Sequence, residues 1–302
     1  MGALGPSPLH LPLYLVSHQH HELFCEPASI VVERVRLARR KYTFRSRPAT
    51  LRTLADHSAI EWTEATWNPT SGCTKVSPGC DRCYAERITH RFPNAYPNGF
   101  DLTIRRAALE LPLRWHKPRT VFVNSMSDVF HADVPESYIA EIFDVMQRAQ
   151  QHTFQVLTKR AVRLARLAPR LPWPKNVWMG VSVESTAYTW RIDCLRRVPA
   201  VVRFVSAEPL LGPLDNLDLS GIHWLIAGGE SQAGARAAEE TWFRNLRDQC
   251  VDTGVAFFLK QLGGHPYKRG GEDAVLDGRR WAEMPIRTRS PVAPTGRSRR
   301  LC

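Results

Sequence analysis

Six short apolar runs punctuate the middle of the chain: Thr120-Val-Phe-Val-Asn124, Thr153-Phe-Gln-Val-Leu-Thr158, Val177-Trp-Met-Gly-Val-Ser182, Val201-Val-Arg-Phe-Val-Ser206, His223-Trp-Leu-Ile-Ala227 and Val255-Ala-Phe-Phe-Leu-Lys260. They are rich in β-branched and aromatic residues and nearly unbroken by charge, as strands covered on both faces are. An alternating run, Ile60-Glu61-Trp62-Thr63, reads as a strand ahead of them. Helix-like stretches separate most of these runs, at 84–91, 136–150, 160–168, 186–197 and 241–253. In the second, Ile139, Ile142, Phe143 and Met146 recur at helical spacing. The link 209–221 is too short and too broken by Pro and Gly for a full helix. Buried strands alternating with helices predict a parallel sheet. Right-handed crossovers curl such a sheet into a full or partial (β/α) barrel, here of six to seven strands.

In such barrels the working residues sit at the C-terminal strand ends. After the first run come Cys73, Cys80 and Cys83; after the second, Asn124, Ser125, Asp128 and His131. The third delivers Thr158, Lys159 and Arg160, the fourth Ser182 and Glu184, and the fifth Ser206 and Glu208. The sixth delivers Gly228, Gly229 and Glu230, and the seventh Lys260 and Gln261. Seven polar termini at one face predict a shared cavity. The competing reading is ordinary strand capping with surface ion pairs. The tryptophans Trp62, Trp67, Trp178 and Trp224 read as core rather than as a base-stacking platform.

Composition divides the chain into three. Residues 1–57 form an irregular extension rich in Pro and His, with a short helix expected around 30–41; 58–264 hold the (β/α) domain; 265–302 form a basic tail. Organised sequence begins abruptly near Ser58, so translation is expected to start near Leu54. The stretch 288–302 is expected to be disordered. The net charge is +12, of which residues 1–58 carry +4 and residues 265–302 carry +5. Basic ends allow a loose affinity for nucleic acid, although solvated tails explain them as well. No apolar run approaches the roughly 20 residues of a membrane span. The seven cysteines show no framework spacing outside one loop. A cytoplasmic setting follows, in which clustered cysteines are metal ligands or redox groups.

That loop is Cys73-Thr-Lys-Val-Ser-Pro-Gly-Cys80-Asp-Arg-Cys83. Thiolates in this spacing suit structural zinc, with His90 or another residue as fourth ligand. They equally suit a [4Fe–4S] cluster with one iron free of protein. Spacing does not choose between the metals, and unmetallated cysteines are the third alternative. The absence of an obvious fourth cysteine nearby and the position at a barrel mouth favour the cluster.

The blocks Glu61-Trp62-Thr63, Trp67-Asn68-Pro69, Gly72-Cys73 and Gly79-Cys80-Asp81-Arg82-Cys83-Tyr84-Ala85-Glu86 resemble a phage-associated bacterial family with a three-cysteine motif. That family is itself similar to radical S-adenosylmethionine (SAM) enzymes. The resemblance continues through Val123-Asn-Ser-Met-Ser-Asp128-Val-Phe-His131, Leu157-Thr-Lys159-Arg160, Gly180-Val-Ser-Val-Glu184, Ser206-Ala-Glu208-Pro209 and Gly228-Gly-Glu230-Ser231, and covers 58–264. It implies a [4Fe–4S] cluster on Cys73, Cys80 and Cys83. It also implies SAM on the fourth iron, cleaved by one electron to methionine and a 5′-deoxyadenosyl radical that abstracts hydrogen from a substrate. An electron donor such as ferredoxin or flavodoxin, a genome-neighbour protein partner, and nucleic acid or a nucleotide as substrate belong to the same expectation.

Two departures stand out. The first cysteine gap is six residues where radical-SAM enzymes have three, and Arg82 precedes the last cysteine where an aromatic residue is usual. Gly228-Gly229-Glu230 resembles the segment that binds the SAM amino group, though here it follows the sixth strand. Glu184 and Glu208 are candidates for the ribose hydroxyls or ammonium of SAM. Lys159 and Lys260 are candidates for its carboxylate or an anionic substrate. Asp128 and His131 are candidates for substrate binding or proton transfer. The rival readings are a zinc-stabilised nucleic-acid-binding or defence-associated protein without radical chemistry, and a barrel hydrolase using strand-end Glu and His.

Overall fold

A computed structural model describes Ser58 and residues 60–285, all in the second of two units, Ala49–Cys302. The N-terminal extension with its helix near 30–41, the start expected near Leu54 and the stretch 288–302 lie outside the described residues.

Seven strands form one parallel sheet in chain order: β1 (Ala65–Trp67), β2 (Thr120–Val123), β3 (Thr153–Thr158), β4 (Val177–Ser182), β5 (Val202–Ala207), β6 (Trp224–Gly228) and β7 (Ala256–Gln261). Helices α1 (Tyr84–Arg91), α2 (Glu136–Arg148), α3 (Ala161–Leu167), α4 (Trp190–Arg196) and α5 (Glu240–Thr253) follow strands β1 to β4 and β6. The link after β5 carries no helix, as its Pro and Gly content predicts. β1 and β7 do not pair, so the sheet is a curled half-barrel.

Strand periodicity separates two cores. The outer one joins alternate strand residues such as Val121, Val123, Val156, Met179, Val205 and Leu225 to the apolar stripes of α2 to α5. The inner one holds no helix residue: Trp62, Phe122, Trp178, Val202, Phe204, Trp224, Ile226 and Phe258 fill it. Helices α2 to α5 therefore lie on one face. Trp224 sits at the centre of the inner set, with Trp62, Trp178, Phe204 and Phe258 rings 5.6–6.2 Å away, mostly edge-on. Gly180 belongs here because a Cβ would lie 2.4 Å from the Phe204 ring.

The run at 60–63 is not a strand. Residues 60–62 bend and turn, and the first strand begins at Ala65. The Trp62 ring is drawn into the inner core against Phe122 at 4.7 Å, which turns the backbone away from extended form. Residues 265–285, beyond the sequence-defined domain, continue it. Ala282 bridges Phe258, Leu259 N–H donates to the Trp281 carbonyl at 2.8 Å, and Leu276 and Trp281 are buried in the outer core.

Candidate metal centre at the half-barrel mouth

The two-residue period that sends Trp178, Phe204, Trp224 and Phe258 inward continues past the strand ends. It sets Glu184, Glu208, Glu230 and Lys260 two, four or six residues beyond inward positions. Lys159 follows Leu157, which packs on the same inner core, by two.

The cysteine loop is tied down at both ends. Gly72 takes a positive φ of 80°, and a Cβ there would lie 2.1 Å from the Asp101 carbonyl oxygen. It bridges Ser127, its N–H donating to the Met126 carbonyl at 3.0 Å while its own carbonyl accepts Ser127 Oγ at 2.7 Å. Cys73 N–H donates to the Phe100 carbonyl at 3.0 Å. Cys80 closes a one-turn helix, Pro78–Cys80, and Cys83 caps α1. Gly79 lies against Glu184, where a Cβ would be 3.1 Å from that carboxylate. The loop thus reaches across to the end of β4.

Each inward glutamate has a cation. Glu184 is fully buried, bound at 2.8 Å by the buried Arg191 of α4; its Oε1 has no hydrogen-bond partner. Glu208 pairs with Lys260. Glu230 accepts Arg82 Nη1 at 3.1 Å, Arg236 N–H at 2.8 Å, Arg236 Nε at 3.0 Å and Arg236 Nη2. Burial pushes the Glu230 carboxyl up, but Arg236 and then Arg82 outweigh it and hold it below the usual carboxylate range. Arg236 Nη2 also donates to the Pro78 carbonyl at 2.8 Å, and Gln232 Nε2 to the Arg82 carbonyl at 3.1 Å. The 230–236 segment is therefore a clasp over the cysteine loop. It gives Arg82, the residue that departs from the aromatic pattern, a definite partner. The glycines beside it serve the chain itself. A Cβ on Gly228 would meet the Glu208 carboxylate at 3.2 Å, and one on Gly229 the Leu262 carbonyl oxygen at 2.4 Å. Lys159 Nζ makes no ion pair among the described residues, and its charge reaches Cys83.

Asp128 and His131 stand behind the loop. Asp128 accepts Phe130 N–H at 2.9 Å, Thr158 Oγ1 at 2.7 Å and Lys159 N–H at 3.1 Å, joining the β2 and β3 ends. His131 Nδ1 accepts Asp133 N–H at 3.2 Å, so Nε2 carries the proton and donates to Thr74 Oγ1 at 2.9 Å. Burial and the nearby Arg160 charge push the imidazole below its ordinary value. Arg160 Nη2 donates to Thr74 at 2.9 and 3.1 Å and approaches Cys73 Sγ at 3.5 Å.

A family model described as "Protein of unknown function (DUF5131)" matches residues 57–285. The chain belongs to this family. No curated protein sequence matches the DUF5131 chain. Two solved structures resemble it. One is spore photoproduct lyase complexed with dinucleoside spore photoproduct, at 14% identity and TM-score 0.40, covering 59% of this chain and 59% of that one. The other is a double mutant of the same lyase with bound AdoMet and dinucleoside spore photoproduct, at 13% identity and TM-score 0.41, covering 58% and 59%. The DUF5131 chain thus spans about three fifths of the length of the solved structures it matches.

A zinc ion needs four ligand atoms roughly 2.0–2.3 Å from one point. Among the described residues no three His, Cys, Asp or Glu side chains converge in that way. His90 is exposed at the far end of α1. Seven residues of helix place it roughly 10 Å along the axis from Cys83. His131 has both ring nitrogens engaged, and Cys194 and Cys250 are buried in the outer core. Three partly exposed, unbridged thiols remain in one loop. A cluster takes its protein ligands at separate irons and needs no common point. Cys80 is felt electrostatically by both Cys73 and Cys83. Burial, with Asp128, pushes the Cys73 thiol up to about 11, while Arg160 acts against the rise. Burial also raises Cys83, opposed by the Glu86 and Ala85 N–H groups at the head of α1. Arg160 and these N–H groups face two of the sulfurs, but burial outweighs them and both thiols lie above their ordinary range. Cys73, Cys80 and Cys83 are the residues that would hold such a cluster.

Arg82, Arg191 and Arg236 are partners of the mouth glutamates that sequence reasoning missed. Arg191 did leave a signal: it shares the buried stripe of α4 with Cys194 and Leu195. A charge on an apolar stripe demands a buried partner.

Proposed function

We propose that this chain is a radical-SAM enzyme whose [4Fe–4S] cluster is held by Cys73, Cys80 and Cys83. The observation that carries the reading is the three-thiol loop fastened across the C-terminal mouth of a half-barrel, with no fourth thiol beside it among the described residues. When bound, the cluster and SAM supply one-electron cleavage of SAM and hydrogen abstraction from a substrate.

The chain's own residues hold and shield that chemistry. Gly72, Ser127 and the Glu230 clasp fix the loop. Arg160 and the head of α1 place positive charge and N–H donors against Cys73 and Cys83. Lys159, an inward cation with no ion pair among the described residues, is assigned to the SAM carboxylate or an anionic substrate group. Glu184 Oε1, buried and unpartnered beneath Gly79, is assigned to a donor on SAM. Glu208 with Lys260, and Glu230 with its arginines, are assigned to shaping the mouth. Asp128 and His131 support Lys159 and Thr74 from behind. The inner aromatic core keeps water from the floor.

Anaerobic reconstitution with iron and sulfide should give a brown protein. SAM should alter the electron paramagnetic resonance spectrum of its reduced form, and 5′-deoxyadenosine should accumulate. Cys80→Ala should lose all three. A colourless protein holding one tightly bound zinc overturns the reading.

A further inference from the structure

Beside the cysteine loop, between the start of α3 and α4, lies an open cleft of about 450 Å³ lined by Arg160, Ala161, Val162, Arg163, Arg166 and Trp190. Its charge is not balanced. Residues 159–170 carry Lys159, Arg160, Arg163, Arg166 and Arg170 with no carboxylate among them. The carboxylates that reach them are Asp128, 4.0 Å from Arg160, and Glu136, shared by Arg166 at 3.1 Å and Arg170 at 2.9 Å. Of these cations, Arg160, Arg163 and Arg166 line the cleft itself; the two carboxylates pair with Arg160 and Arg166, which leaves Arg163 without an ion pair among the described residues. Arg163 donates to the His131 and Val134 carbonyls rather than to a carboxylate.

The walls are not merely basic. Val162 is 65% exposed and Trp190 42% exposed, with the Arg191 guanidinium over the Trp190 ring 5.7 Å from its centroid. A flat aromatic face, an aliphatic wall and clustered guanidinium groups answer two features of one kind of ligand: phosphates spaced along a chain, and planar bases free to stack. A duplex hides its base faces, and an acidic peptide offers nothing flat for Trp190.

We infer that this cleft binds single-stranded nucleic acid, with Arg166 and its neighbours on the phosphates and a base stacked on Trp190. Arg160 is common to the cleft and to Cys73, so a strand lying here passes beside the cysteine loop. As a statement about substrate the inference rests on the function proposed above. As a statement about binding it does not, and binding alone is tested.

A fluorescently labelled mixed-sequence DNA 12-mer is titrated into the full-length chain and followed by anisotropy at several salt concentrations. The as-purified and the reconstituted protein are both used, and they should bind alike. Trp190→Ala should weaken binding about tenfold, since stacking on an aromatic side chain is worth about 1–3 kcal/mol per base. Arg166→Ala should weaken it and flatten the salt dependence by about 0.7 in log–log slope. Both side chains are exposed, and unchanged melting temperatures confirm that the variants fold. Failure of the wild type to bind overturns the inference. So does undiminished binding by both variants, which would assign the affinity to the basic ends. A duplex of the same sequence binding as tightly, or polyglutamate competing as well as the oligonucleotide, overturns it too. Binding confined to the reconstituted form moves the occupant to the cysteine loop and away from the cleft.

Discussion

Glu230→Ala removes the anchor of the clasp while leaving every cysteine in place. The carboxylate is nearly buried and accepts four hydrogen bonds, three from Arg236 and one from Arg82. A charged hydrogen bond is worth about 1.5–3 kcal/mol net. Here the partners are part-exposed, at 39% for Arg82 and 31% for Arg236, and regain water when released. A global cost of about 2 kcal/mol follows, well short of the sum of the bonds. For a domain of this size that lowers the melting temperature by about 4–8 °C. The larger effect is local. Residues 78–87 lose their hold on β6, so their backbone amides should exchange faster with deuterated water while those of β3 to β5 do not. Glu230→Gln, which keeps an acceptor and loses the charge, should fall between. Arg82→Ala added to Glu230→Ala should change little more, because the pair acts as one unit. Unchanged exchange over 78–87 together with an unchanged melting temperature would refute the clasp.

Three further outcomes are expected. Gly180→Ala drives a methyl into the Phe204 ring and should cost about 1–3 kcal/mol in a urea melt; Phe204→Leu in the same chain should recover part of it, and a neutral Gly180→Ala would contradict the packing described. Gly72→Ala combines a positive φ with a backbone collision, so the variant should bind no iron on reconstitution even where the rest of the barrel melts cooperatively; normal iron uptake would count against the loop geometry. Burial holds the His152 imidazole below its ordinary 6.5, its Nε2 on the Pro112 carbonyl, so the unfolded chain protonates first as the pH falls. Stability is therefore full above about pH 6.5 and declines from there toward the folded value, with buried His131 adding the same sign. Melting temperatures from pH 7.5 to 5.5 should show less decline in His152→Gln, and parallel curves would remove His152 from the account.

Strands β3 and β4 begin and end where their apolar runs do, because a strand covered on both faces tolerates no charge until it leaves the sheet. The fifth, sixth and seventh runs lie one residue early for a related reason: Val201 and His223 at their heads are exposed, and Ala207, Gly228 and Gln261 at their ends are small or polar yet buried. The first run misleads because Trp62 is apolar for the sake of the inner core and not of a strand. The place of the cysteine loop was legible from its position after the first strand and before α1. Its fastenings were not. Glu230 lies 148 residues from Arg82, and no local pattern links them. Arg191 is only seven residues from Glu184, yet a helix and a turn separate them, so the pair emerges only once α4 folds back. Glutamates that look in sequence like free ligands for a cofactor are for the most part already spoken for by arginine and lysine, which leaves Lys159 and one oxygen of Glu184 as the uncommitted groups among them.

The tryptophan cluster beneath the mouth has a consequence for traffic. Trp62, Trp178 and Trp224 stop the lower end of the half-barrel with interlocked rings, so the interior is a shallow cup and not a tube. On the function proposed above, substrate and product cannot pass through that end.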